Sequence, residues 1–108
     1  MPEFSYRVRT DGVLNVVEVS GDVDMAVADQ LTEALDPLVT ASEVVLDLSA
    51  VAFFDSMGLR VVVQAKQQAE QAGNAFTLIP SKAVSRVLEL AGLSKLFTIH
   101  DSATDTSG

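Results

Sequence analysis

At 108 residues the chain has room for one hydrophobic core and not for two. Hydrophobic residues make up 48%, so the chain should fold rather than stay disordered, and the lack of Cys excludes disulfides, thiolate metal sites and thiol nucleophiles. Seven basic residues against fifteen acidic ones leave a net charge of −8, which offers nucleic acid no positive face and suits a basic or mixed protein surface better.

The N-terminal stretch "MPEFSYRVRTDG" lacks the apolar core of a signal peptide. No apolar run approaches the ~18–20 residues that cross a bilayer. A soluble, cytoplasmic protein with no membrane association is therefore expected. "SYRVRT", the pair Asp11-Gly12 and "VLNVVEVS" read as two strands joined by a tight turn. Gly21-Asp22-Val23-Asp24 follows, and then Val27, Leu31, Leu35 and Leu38 recur at helical spacing. Asp24 is expected to cap that helix, and Pro37 to kink or end it.

"EVVLDLS" has the near-continuous apolar character of a strand buried on both faces. The next helix carries Leu59, Val62, Val63, Lys66 and Ala69 along one side and stops at Gly73. "AFTLI" is a further buried strand. Ser81 is placed to cap a third helix with Val84, Val87, Leu88 and Ala91, closed by Gly92. "LFTI" is a last strand, and the polar "HDSATDTSG" is expected to fray over residues 101–108. The order β-β-α-β-α-β-α-β predicts a single α/β domain with a core over residues 4–100. Its sheet is mostly parallel, with an antiparallel hairpin at the start. Periodicity leaves open whether the helices cover one face of the sheet or both.

In open α/β sheets, sites gather beyond the carboxyl ends of the parallel strands. Two loops qualify: residues 21–24 and "FFDSMG" at residues 53–58. A parallel sheet would place them on one rim, with Asp22, Asp24, Asp55 and Ser56 as neighbours. Ser56 reads either as a helix N-cap or as an acceptor of phosphate at a helix N-terminus. A catalytic serine is disfavoured. The residue two before Ser56 is Phe54, so there is no G-x-S-x-G elbow, and the sole histidine, His100, is expected as an exposed tail residue. A Mg²⁺ site at the three aspartates, as around a phospho-accepting aspartate, is disfavoured too, because the acidic pair follows the second strand and not the first, Asp47 sits within a strand and not after it, and Lys82 opens a helix. No cofactor or metal is expected. Met25 and Met57 belong on the same rim, and Met is adaptable at binding surfaces.

Three segments resemble the STAS domain, a family named for sulfate transporters and anti-sigma factor antagonists. "VSGDVDM" resembles its hydrophobic-x-G-[DE]-hydrophobic-D segment. "VVLDLSAVAFFDSMGL" resembles its buried strand followed by D-S-x-G-L, and "VLELAGLSKLFTIHDS" resembles its ending. The resemblance spans residues 13–102. It implies a non-enzymatic anti-sigma factor antagonist, a monomer or weak dimer, which binds an anti-sigma factor and frees a sigma factor. The anti-sigma factor is itself a serine kinase, and phosphorylation of Ser56 switches binding off. The implied partner surface is Asp22, Asp24, Met25, Asp55, Ser56, Met57, Gly58 and Leu59. Met57 departs from the small residue common there. Small STAS proteins also serve as constitutive subunits of larger complexes, such as lipid-transport ABC systems, and there the serine would only cap.

Overall fold

The computed structural model describes residues 3–100; the frayed tail expected over 101–108 lies outside the described residues. The elements are β1 (Ser5–Asp11), β2 (Leu14–Val23), α1 (Ala28–Ala41), β3 (Glu43–Phe54), α2 (Ser56–Ala72), β4 (Phe76–Pro80), α3 (Lys82–Leu90), a 3₁₀ turn (Ser94–Leu96) and β5 (Thr98–Ile99). They form one five-stranded sheet in the order β1-β2-β3-β4-β5, with β1 antiparallel to β2 and every other pair parallel. This is the expected α/β class and element order.

Strand order resolves the question of faces. Each crossover is right-handed and advances in the same direction, so all three helices fall on one side. Val17, Val19 and Val23 of β2 share a core with Val44, Leu46 and Leu48 of β3 and with Leu78 of β4. Leu31, Leu35 and Val39 of α1, Val61, Val62 and Ala65 of α2, and Val84 and Leu88 of α3 close it. The opposite side holds only a small cluster of Val16, Val45 and Ile79 with Leu14.

Several local expectations are corrected. The hairpin forms, but Asp11 pairs with Leu14, so Gly12-Val13 is the loop and Asp11 ends the strand. Pro37 does not end α1, which continues to Ala41. Leu35 and Val39 are fully buried on either side of it, and that packing outweighs the missing bond. The carbonyl that Pro37 cannot serve belongs to Glu33, an exposed residue that solvent can reach. The buried stripe of α2 is Gly58, Val61, Val62, Ala65 and Ala69, rotated from the expected one. The final strand shrinks to two residues after the 3₁₀ turn.

The difference that matters most is the length of β3. The apolar run ends at Leu48, yet the strand runs on to Phe54. Two register shifts against β2 insert an extra residue into β3 each time. At the first, Asp47 Oδ1 accepts from the Ser49 N–H at 2.9 Å and from its hydroxyl at 2.6 Å. Pairing then continues through Val51, Phe53 and Phe54 to the end of β2.

Gly21 lies in this last stretch of β2, at φ +89°. A Cβ there would stand 2.6 Å from the carbonyl carbon of Glu3 and 2.9 Å from the nitrogen of Phe4. Gly21→Ala therefore meets both a strained dihedral and a backbone approach closer than any Cβ tolerates. It should cost about 2–3 kcal/mol of stability, read as a lower urea midpoint at unchanged m.

Candidate functional site

The carboxyl ends of β2 and β3 meet at one rim of the sheet. Asp22 pairs in register with Phe53 and Val23 with Phe54, and the Asp55 N–H donates to the Val23 carbonyl at 3.3 Å. Asp24 and Asp55 are the next residues of the two chains. The rim expected from the sequence thus exists, with Asp24, Asp55 and Ser56 brought together on it. Asp22 is set slightly apart. Val23 and Phe54 face the helices, so alternation turns Asp22 and Phe53 to the helix-free side.

The cap of α2 is Asp55, not Ser56. Because β3 persists to Phe54, Asp55 takes the extended N-cap backbone, with φ −113° and ψ −172°, and Ser56 is already the first helical residue. Asp55 Oδ1 accepts from the Met57 N–H at 3.0 Å and from the Gly58 N–H at 3.2 Å. Ser56 is exposed, and its hydroxyl makes no hydrogen bond among the described residues. Asp24 is likewise not the cap of α1, whose N-cap position is Val27 without a side-chain bond. Its carboxylate accepts from the Ala26 N–H at 2.9 Å and its carbonyl from the Val27 N–H at 3.2 Å, which shapes the turn one step before the helix. Ser81 does cap α3, accepting from the Val84 N–H at 3.2 Å.

The remaining site residues divide by burial. Met25 is 73% exposed and stands out from the rim. Met57 and Leu59 are half-buried and pack against the main core, so each offers a partner only part of its side chain. Gly58 is buried: a Cβ there would stand 2.7 Å from Phe54 Cε1 and 3.0 Å from Val23 Cγ1. Its glycine lets α2 settle onto the strand ends and does not itself face solvent. Two residues absent from the sequence-based surface belong to the rim. Phe53 is 50% exposed beside Asp22. Arg60 is exposed one turn along α2 from Ser56. The four-residue spacing from Ser56 was the signal for Arg60; Phe53 had none, because its exposure follows from the register shifts.

Among the described residues no three His, Cys, Asp or Glu side chains gather to hold a metal ion. His100 is half-buried, and its N–H donates to the Leu78 carbonyl at 3.0 Å beyond the short β5, so it is not the free tail residue expected. An open groove of about 460 Å³ lies on the helix-free face between Arg7, Glu18, Asp47 and Ser49. Glu18 there pairs with Arg7 at 3.6 Å and Arg9 at 4.0 Å. Among the described residues no helix is long and apolar enough to cross a membrane.

Comparison with known proteins bears on the family and the fold. The STAS domain family model matches residues 6–105. The chain is 30% identical over 99 residues to the anti-sigma-F factor antagonist RsfB of Mycobacterium tuberculosis, covering 86% of this chain and 81% of that protein. It is 30% identical over 95 residues to the anti-sigma F factor antagonist of Paenibacillus polymyxa, covering 84% and 80%. The crystal structure of an anti-sigma factor antagonist from Mycobacterium paratuberculosis superposes with a TM-score of 0.86 at 29% identity, covering 95% of this chain and 90% of that one.

Two outcomes follow from the rim itself. Asp55→Ala should cost about 1 kcal/mol by removing the cap, while Ser56→Ala should stay within about 0.5 kcal/mol of wild type in the same urea titration. Gly58→Ala gains about 1 kcal/mol of helix propensity but crowds a buried ring at a cost of about 1–3 kcal/mol, so net destabilisation is expected in thermal unfolding.

Proposed function

The chain belongs to the STAS domain family, and within it we propose that this protein is an anti-sigma factor antagonist switched by phosphorylation of Ser56. Unphosphorylated, it docks the rim on an anti-sigma factor that is also a serine kinase, and a sigma factor is released. The Ser56 hydroxyl attacks the γ-phosphorus of ATP on the kinase. An Oγ–P bond forms, the bond to ADP breaks, and the hydroxyl proton passes to a base on the kinase or to solvent. This chain supplies the acceptor and no catalytic group.

One observation carries the reading: Ser56 is exposed and unengaged at the start of α2, because Asp55 has taken over the cap. A serine that held the helix end would have to give up that role when modified. This one does not. The phosphate adds about −1.5 to −2 charge at pH 7. It arrives between Asp24 and Asp55 on a chain that already carries −8. Met25 and Phe53 supply apolar area for docking, and the aspartates make the docked surface sensitive to added negative charge.

The test is to incubate the protein with kinase-type anti-sigma factors and ATP and to locate phosphate by mass spectrometry. Label is expected on Ser56 and absent from Ser56→Ala, which should still bind its partner. The phosphorylated protein should bind about a hundredfold more weakly, equivalent to ~3 kcal/mol. Label retained in Ser56→Ala would refute the site assignment. Equal affinity of both forms would refute the charge mechanism. Co-purification with an ATPase subunit and an unmodified Ser56 would make the chain a constitutive subunit instead.

A further inference from the structure

We propose that Arg60 is the intramolecular partner of the Ser56 phosphate, so that the modified protein holds its own switch group in place. The inference rests on the phosphorylation reading above and concerns the same site. Three observations lead to it. First, the helix end is largely occupied. A phosphate at the start of a helix ordinarily finds several free N–H groups, but those of Met57 and Gly58 donate to Asp55 Oδ1 at 3.0 and 3.2 Å. Beyond the N–H of its own residue, a phosphate on Ser56 must displace that carboxylate or look elsewhere for donors.

Second, Arg60 is where it would look. Ser56, Arg60 and Gln64 form the outward stripe of α2, each exposed, while Gly58, Val61, Val62 and Ala65 face the core. Residues four apart on a helix have Cβ atoms about 5–6 Å from each other, and an anion placed N-terminal to a cation is the favourable order. A guanidinium can donate two parallel hydrogen bonds to phosphate oxygens.

Third, Arg60 is uncommitted. Among the described residues the ion pairs are Arg7 and Arg9 with Glu18 and Lys66 with Glu70, and none involves Arg60. The charged side chains of β2, β3 and the start of α1 at this end are acidic: Asp22, Asp24 and Asp55 on the rim and Asp29 in the first turn of α1. The exposed Lys82 opens α3 at the carboxyl end of β4, whereas Arg60 stands on the same helix as Ser56, one turn away. A new dianion there is attracted first to the cation on its own helix and repelled by the aspartates. Arg60 is thus a positioning residue for the phosphate and is not needed to form it.

The experiment places phosphoserine at position 56 by codon-reassigned translation, so the result does not depend on a kinase. The second ionisation of the phosphate is followed by ³¹P NMR in wild type, Arg60→Gln and Arg60→Lys. The nearby cation should hold the wild-type ionisation lower than that of Arg60→Gln by about 0.3 pH unit or more, and Lys should restore most of the difference. The gap should shrink in high salt. Coincident titrations of wild type and Arg60→Gln would overturn the proposal, as would a lower value in Arg60→Gln. A merely structural role for Arg60 would shift unfolding without moving this ionisation. Failure of the kinase assay with the NMR gap present would remove the phosphorylation reading and leave the pairing standing.

Discussion

Everything at the rim depends on β2 and β3 staying paired, in parallel, up to Val23 and Phe54. The middle of that pair, Val17, Val19, Leu46 and Leu48, is almost wholly buried beneath the helices. Burying each such side chain is worth about 1.5–3 kcal/mol. A surface charge interaction is worth about 1 kcal/mol or less. The strand ends are therefore a fixed platform on which charge can change without moving the fold. The same pairing delivers two chain reversals, one into α1 and one into α2, at adjacent positions. The Asp55 N–H bonded to the Val23 carbonyl is the last tie between them.

Asp55 and Ser56 sit side by side but have different work. Asp55 neutralises two N–H groups that would otherwise point unpaired from the end of α2. Its carboxylate also meets the positive end of the helix dipole. Ser56, one residue further, has turned outward and owes nothing to the helix. A fold in which the serine itself capped α2 would link modification to fraying of the helix. Here the two are uncoupled, and Gly58 completes the arrangement by letting the helix start lie against Phe54 and Val23.

Much of this is legible in the residue order. The alternation of strand and helix, the Ser81 cap and the convergence of Asp24, Asp55 and Ser56 on one rim need only periodicity and the rules of parallel sheets. What misleads is the end of β3. The near-continuous apolar run stops at Leu48, while the strand continues past Ser49, Ala50 and Ala52, small residues with little strand preference, to Phe54. The pairing there is enforced by β2 and by the Asp47 carboxylate holding the first register shift, a tertiary cause that local preference does not contain. Where the strand ends decides which of two good capping residues does the capping. With a boundary two residues earlier, the choice between Asp55 and Ser56 has no answer in sequence. Pro37 is a similar case: the local rule says stop, and the burial of Leu35 and Val39 overrules it.

The chemistry of the rim also indicates where a phosphate would exert its effect. On the free protein the group would lie in water, where its repulsion from Asp24 and Asp55 is screened and small. Docking changes the medium. Met25 and Phe53 can contribute to an interface only if water leaves their surroundings, and Ser56 lies on the same rim. A phosphate carried into that environment would lose hydration that the aspartates cannot replace and a single arginine replaces only in part, and a dianion so enclosed would cost several kcal/mol. An exposed aromatic ring and neighbouring carboxylates would be unremarked on a surface that never bound anything. Beside an unengaged serine they would form a surface whose affinity could be set by a phosphate added to it, because the cost of that group would be small in the free state and large in the bound one.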